Sequence, residues 1–114
     1  MLYTLLLIGD EEQWAKADEA ERQEMYARHE AFGKLLEERG AERGGGELAH
    51  SSSATTVRKV GDDFVITDGP FAETSEQLGG FYIVEARDLD EAIEFAKAVP
   101  GDVEIRPLVD PSAQ

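Results

Sequence analysis

His29 is the residue best suited to moving a proton, because an imidazole titrates near neutral pH and a neighbouring carboxylate can orient its ring. Asp68 is the carboxylate that a distinctive segment, Asp68-Gly69-Pro70-Phe71, offers as its partner. That segment also has a local logic of its own. Asp68 can accept backbone N–H bonds in a turn, Gly69 permits positive φ, and Pro70 fixes its own φ while holding Gly69 away from the α region. Phe71 is expected to bury its ring and pin the corner. Glu73, Thr74, Ser75 and Glu76 then place carboxylates and hydroxyls on its exposed side, so Asp68, Gly69, Pro70, Phe71, Glu73 and Thr74 are the candidate ligand-binding set and His29 with Asp68 the candidate catalytic pair.

Other constellations carry less. Asp68, Glu73 and Glu76 could supply oxygen ligands to a hard cation, but their spacing does not make them converge, so no metal and no cofactor is expected. Ser51, Ser52 and Ser53 lack the strand-to-helix turn that exposes a nucleophilic serine. The glycines at 44–46 and 79–80 do not sit between a strand and a helix start, where a phosphate would be cradled.

These residues must be positioned by a small set of elements. Leu2 to Gly9 is a short apolar run that reads as a strand buried on both faces or nearly so. A single helical turn is expected around Trp14. Asp18 and Glu21 have capping-box spacing and open a helix to Arg39 with Gly40 as its stop. Met25, His29, Phe32 and Leu36 form its inner stripe, with Leu35 alongside, which turns His29 toward the sheet. Gly44-Gly45-Gly46 reads as a flexible turn before a weak strand near Leu48 and His50. Ala54–Val60 and Phe64–Thr67 flank Gly61-Asp62-Asp63 as a hairpin, and Leu78–Glu85 is a further strand. Asp88 and Glu91 cap a second helix with Leu89, Ala92, Ile93, Ala96 and Val99 inward, ended by Pro100-Gly101. Val103–Leu108 closes the chain as an edge strand, because of Pro107.

The order is that of an α+β, ferredoxin-like βαββαβ plan with an antiparallel sheet, both helices on one face and an elaborated centre. A chain of 114 residues suffices for one domain, 1–114, but holds no third layer for the other face, so a homodimer pairing sheet to sheet is expected. A net charge of −14 opposes phosphate backbones and anionic lipid, which argues against direct nucleic-acid and membrane partners. With no cysteine there is no disulfide, thiolate metal site or cysteine nucleophile. The apolar start is too short to span a membrane and lacks a basic flank, leaving cytoplasmic residence as the default.

The run from Thr67 through Gly79-Gly80-Phe81-Tyr82 resembles the signature of the DGPF branch of the YCII-related family. Ile8-Gly9-Asp10, Ala54-Thr55-Thr56-Val57-Arg58, Asp88-Leu89-Asp90-Glu91-Ala92 and Val103-Glu104-Ile105-Arg106-Pro107 extend the likeness over almost the whole chain. The resemblance implies a dimeric ferredoxin-like α+β barrel and an unsettled activity. It also implies association with sigma-70-type transcription factors in some members. A histidine and an aspartate recur in the wider family. His29 matches the histidine, whereas Val99 before Pro100 stands at the aspartate position, which leaves Asp68 as its substitute. Two functions are therefore expected of such a chain. One is a homodimeric regulatory or interaction module with a sigma-factor-type partner, its acidic surface suiting a basic protein; the other is a small-molecule enzyme or binder with a His29-centred acid/base site beside the DGPF segment.

Overall fold

The computed structural model describes residues 1–113; Gln114, the final position of the expected domain, lies outside the described residues. The opening apolar run forms β1 (Leu2–Gly9), and the acidic residues after it form a short helix, α1 (Glu11–Lys16), around Trp14. The long helix α2 (Glu19–Glu38) starts where the sequence places it: the Asp18 carboxylate accepts the Glu21 N–H at 2.8 Å, satisfying one of the free amides of the first turn. Its chain leads through Gly40 into β2 (Glu42–Glu47). A 3₁₀ turn (Ser51–Ser53) precedes the hairpin of β3 (Thr55–Val60) and β4 (Asp63–Asp68). Then come β5 (Gln77–Glu85), α3 (Leu89–Ala98) and β6 (Asp102–Pro107). The Asp88 carboxylate caps α3 by accepting the Glu91 N–H at 2.9 Å.

The main sheet has the order β2-β5-β1-β6, with every pair antiparallel. This is the ferredoxin-like arrangement, with the β3–β4 hairpin inserted between its second and third strands as a separate two-stranded sheet. The expected edge position of the proline-bearing last strand is met by β6. Tyr3 and Leu5 of β1 and Val84 of β5 point to the face covered by Phe32 and Leu36 of α2 and by Ala92 and Phe95 of α3, and together they form the core. β1 is therefore buried on its helix face at Tyr3 and Leu5, with Leu7 partly so; Leu6 and Ile8, on the other face, keep partial exposure. No helix among the described residues is long and apolar enough to cross a membrane.

Three local expectations are corrected. Gly44-Gly45-Gly46 is not a turn but part of β2, paired with Phe81, Tyr82 and Ile83, while Leu48 and His50 lie past the strand. In α3 the buried residues are Ala92, as expected, and Phe95, at 2% exposure, whereas Leu89 in the first turn is half exposed. Phe71 does not bury its ring: it is 67% exposed and lies under the Arg58 guanidinium, 4.0 Å from its carbon.

A candidate small-molecule cleft between the long helix and a glycine floor

Two physical facts place a cleft beside α2. The inner stripe of the helix brings Met25 and His29 over the sheet, and β2 there is built of glycines, which leave no side chains to fill the space. The result is a cavity of about 690 Å³, lined by Trp14, Met25, Tyr26 and His29 on one side and by Gly44, Gly45, Gly46, Gly79, Gly80, Phe81 and Tyr82 on the other. Its size falls within the range of small-molecule sites, roughly 300–1,000 Å³.

His29 is half-buried at the wall of this cleft, and its Nδ1 lies 2.7 Å from the Tyr82 hydroxyl. The two rings stack at 23° with centroids 5.9 Å apart, and Phe32 packs edge-on against Tyr82 at 4.8 Å. Burial lowers the His29 pKa from its ordinary value, only partly countered by the Glu47 carboxylate, and burial raises that of Tyr82. Both groups are therefore neutral at neutral pH. With Nδ1–H donating to the phenol oxygen, the Nε2 lone pair is free to accept a proton; with the phenol donating instead, Nε2–H becomes a donor. Among the described residues Nε2 has no protein hydrogen-bond partner, so the ring edge is available to a ligand.

The rest of the lining is aromatic and acidic. Trp14 meets Tyr26 edge to face at 5.6 Å, and the Tyr26 hydroxyl donates to Glu47 Oε1 at 3.1 Å. Arg22 holds α1 against α2: its Nη2 donates to the Ala15 carbonyl at 2.9 Å and its guanidinium lies over Trp14. Asp10, Glu11, Glu42, Glu47 and Asp102 face the cleft against the cation of Arg22, a balance that disfavours anionic ligands.

Asp68 is not part of this arrangement. It ends β4, does not line the cleft, and its carboxylate makes no hydrogen bond among the described residues. The structure thus puts the two expected catalytic residues on different parts of the fold, and the group that touches His29 is Tyr82. Gly69 takes the positive φ its turn requires, 117°. Its N–H donates to the Ala54 carbonyl and its own carbonyl accepts from Thr56 Oγ1, both at 2.7 Å. Of the expected ligand-binding set, Pro70, Glu73 and Thr74 line a second, smaller cavity of about 430 Å³ that they share with His50, Ser51 and Glu11; Asp68, Gly69 and Phe71 do not.

Glu11, Glu12 and His50 approach closely enough to invite a metal reading, with His50 Nε2 at 3.5 Å from Glu11 and 3.1 Å from Glu12. The tautomer argues otherwise. His50 Nδ1 accepts the Ser52 N–H at 3.1 Å, which places the ring proton on Nε2, where a metal would need a lone pair. The trio, with Ser51 donating to Glu11 through both N–H and Oγ, is a latch tying the loop after β2 to α1.

The sequence reading named His29 but missed Tyr82, Trp14, Tyr26 and Glu47. Strand alternation carried the signal for Tyr82: two residues before Val84, it must share that residue's helix-facing side. The glycine floor has no such signal, because its meaning depends on which strand lies beside it.

The depressed His29 pKa has a measurable sign. The unfolded chain binds a proton at this site more readily than the folded one, so stability rises with pH across the window between the folded value and the ordinary value near 6.5. The contribution is complete above that window and is lost as the pH falls through it. The His29 Cε1–H resonance should titrate with a midpoint below that of a free histidine; a midpoint above it would mean that Glu47 outweighs burial.

Comparison with known proteins gives three findings. The family model of the YCII-related domain matches residues 1–103. An uncharacterized protein of Rhizobium meliloti is 33% identical over 114 residues, covering 95% of this chain and 92% of that protein. The solved structure of 5-chloro-2-hydroxyhydroquinone dehydrochlorinase from Burkholderia phenoliruptrix, in complex with 2,5-dihydroxybenzoquinone, superposes with a TM-score of 0.51 at 18% identity, covering 99% of this chain and 98% of that one.

Proposed function

Starting from the fact that the chain belongs to the YCII-related domain family, we propose that it binds a small planar, hydroxylated ring in the cleft beside α2 and exchanges a proton with it at His29. The observation that carries this reading is the His29 Nδ1 to Tyr82 hydroxyl contact of 2.7 Å at the wall of a 690 Å³ cleft. Trp14, Tyr26 and Tyr82 supply aromatic surface for a flat ligand, and the glycine strand lets it lie close to the backbone. His29 Nε2 takes the hydroxyl proton while Nδ1–H is held by the phenol oxygen of Tyr82, so the ring stays oriented as its charge changes. The acidic lining selects a neutral phenol over a carboxylate or phosphate. A protein with this fold holds an oxygenated six-membered ring, 2,5-dihydroxybenzoquinone, which supports the ligand class. The same reading takes the working unit as a homodimer, since Leu6, Phe81 and Ile83 on the helix-free face of the sheet keep partial exposure. A regulatory or sigma-factor-linked role has no comparable observation behind it.

The test is titration with hydroquinone under anaerobic conditions, followed by two-dimensional NMR. Shifts confined to residues of the cleft, with the His29 Cε1–H signal among them, are expected, together with weakening of at least tenfold in His29→Ala and little response to benzoate. Hydroquinone shifts that leave the cleft untouched, or that persist unchanged in His29→Ala, would overturn the assignment.

A further inference from the structure

We infer that the Tyr26–Glu47 pair is a second anchor of the cleft, and that the ligand it selects is a ring with hydroxyls on opposite sides, a 1,4-benzenediol, held by His29 at one end and by the Glu47 carboxylate at the other. The inference rests on the proton-exchange reading above and adds what recognises the far end of the ring.

Strand pairing puts Glu47 in place. On β2 it lies opposite Gly80, two residues before Tyr82 on β5, so Glu47 and Tyr82 point to the same, helix-facing side of the sheet. Gly80 has no side chain, which leaves the space beside Glu47 open. On α2, Tyr26 and His29 are three residues apart and share one face. Two bonded pairs therefore span from helix to sheet side by side: His29 to Tyr82 at 2.7 Å, and Tyr26 to Glu47 at 3.1 Å. They are offset by about 4.5 Å along the helix axis and by about 6.6 Å along the strand. That offset suits hydroxyls on opposite sides of a six-membered ring; hydroxyls on adjacent carbons stand closer together.

Glu47 has bonding capacity to spare. The Tyr26 hydroxyl lies almost equally near its two oxygens, at 3.1 and 3.3 Å, and among the described residues no other group donates to them. One phenolic proton cannot saturate a carboxylate, which offers about four lone-pair sites. Arg22, the cation of the cleft, is committed elsewhere, its Nη2 donating to the Ala15 and Trp14 carbonyls. The influence of Glu47 also reaches the other end of the site: burial lowers the His29 pKa, and the Glu47 carboxylate partly offsets it. A ligand hydroxyl donating to this carboxylate makes a charge-assisted bond, roughly twice as strong as a neutral one. A tether between α2 and β2 would need only an acceptor for Tyr26, whereas recognition of a second hydroxyl draws on the charge.

The experiment compares anaerobic titrations of the full chain with phenol, catechol and hydroquinone, followed on the His29 Cε1–H signal. Hydroquinone should bind about tenfold tighter than phenol or catechol, beyond the factor that two equivalent hydroxyls give by statistics alone. In Glu47→Gln, which keeps an acceptor for Tyr26, the preference should collapse to that statistical factor while phenol affinity stays near wild type. The His29 midpoint should fall further in the same variant, because the carboxylate that offsets burial is gone. Glu24→Gln, which removes the same charge from α2 outside the cleft, should keep the preference. Equal binding of phenol and hydroquinone by wild type, or a preference that survives Glu47→Gln, would overturn this inference and leave proton exchange at His29 standing. A response to all three ligands that never includes His29 would overturn the reading of the cleft, and this inference with it. The wild-type comparison decides whether or not the variant folds.

Discussion

Gly45→Ala should cost about 3 kcal/mol or more and detach β2 from the sheet, the largest effect expected of any single methyl group in this chain. A Cβ at Gly45 would lie 2.4 Å from the Phe81 carbonyl oxygen and 3.1 Å from Tyr82 Cα, and both are backbone of the neighbouring strand, which cannot swing aside. The residue also sits at a φ of 146°, a conformation L residues rarely adopt. The neighbouring Gly46→Ala is the control. Its Cβ meets nothing within 4 Å at an ordinary φ, so its change should stay within about 1 kcal/mol. Urea unfolding of the two variants measures the difference directly. If Gly45→Ala unfolds with a midpoint like that of Gly46→Ala, the close approach of β2 to β5 is wrong, and so is the floor of the cleft.

The consequence for function follows from the same contact. β2 carries Glu47, which accepts from Tyr26 and biases His29, and it forms the side of the cleft facing α2. With β2 detached, Tyr82 would lose the partner that pairs across from it at Gly45, and hydroquinone binding should fail along with stability. A variant that stays folded but no longer binds would point to the floor; one that binds normally would separate the ligand from this cleft.

Much of the scaffold is legible in the sequence because its determinants are local. Asp18 with Glu21 and Asp88 with Glu91 announce helix starts through a hydrogen bond spanning three residues, and both form as read. The phase of Phe32 and Leu36 fixes which side of α2 faces the sheet, and thereby turns His29 inward. What was not legible depends on residues far apart in the chain. Three consecutive glycines read as a turn because nothing local asks them to be a strand; only the β5 backbone at Gly80 to Ile83 makes them one. Tyr82 is 53 residues from His29 and meets it only once β5 lies beneath α2. Asp68 is paired with His29 in the sequence by its chemistry and as a substitute for the aspartate the resemblance implies, and the inserted hairpin carries it elsewhere. The segment around it, although the most distinctive in the sequence, is explained by turn geometry: a positive φ at Gly69 and two hydrogen bonds that close the base of the hairpin.

Phe95→Ala should destabilise the protein by about 3–5 kcal/mol, whereas Leu89→Ala should change it by less than about 1 kcal/mol. Periodicity alone favours the opposite order, since Leu89 heads the apolar row of Leu89, Ala92, Ile93, Ala96 and Val99. The structure keeps Ala92 and Val99 of that row in the core and adds Phe95 to it at 2% exposure, while Leu89 in the first turn remains half in water. The turn that α3 must present is set from outside the helix: the Arg39 guanidinium at the end of α2 lies over the Phe95 ring at 5.1 Å and bonds Glu91 at 2.9 Å, one turn before it. Truncating Phe95 removes a ring that neighbours cannot replace without moving the helix, which is why the cavity adds to the lost burial. Chemical denaturation of both variants measures the difference, and equal losses would mean that Leu89 is buried as deeply as Phe95. A second readout separates packing from the site. Phe95 does not line the cleft, so the His29 titration midpoint in folded Phe95→Ala should match wild type, whereas Tyr82→Phe should shift it by deleting the hydroxyl on Nδ1.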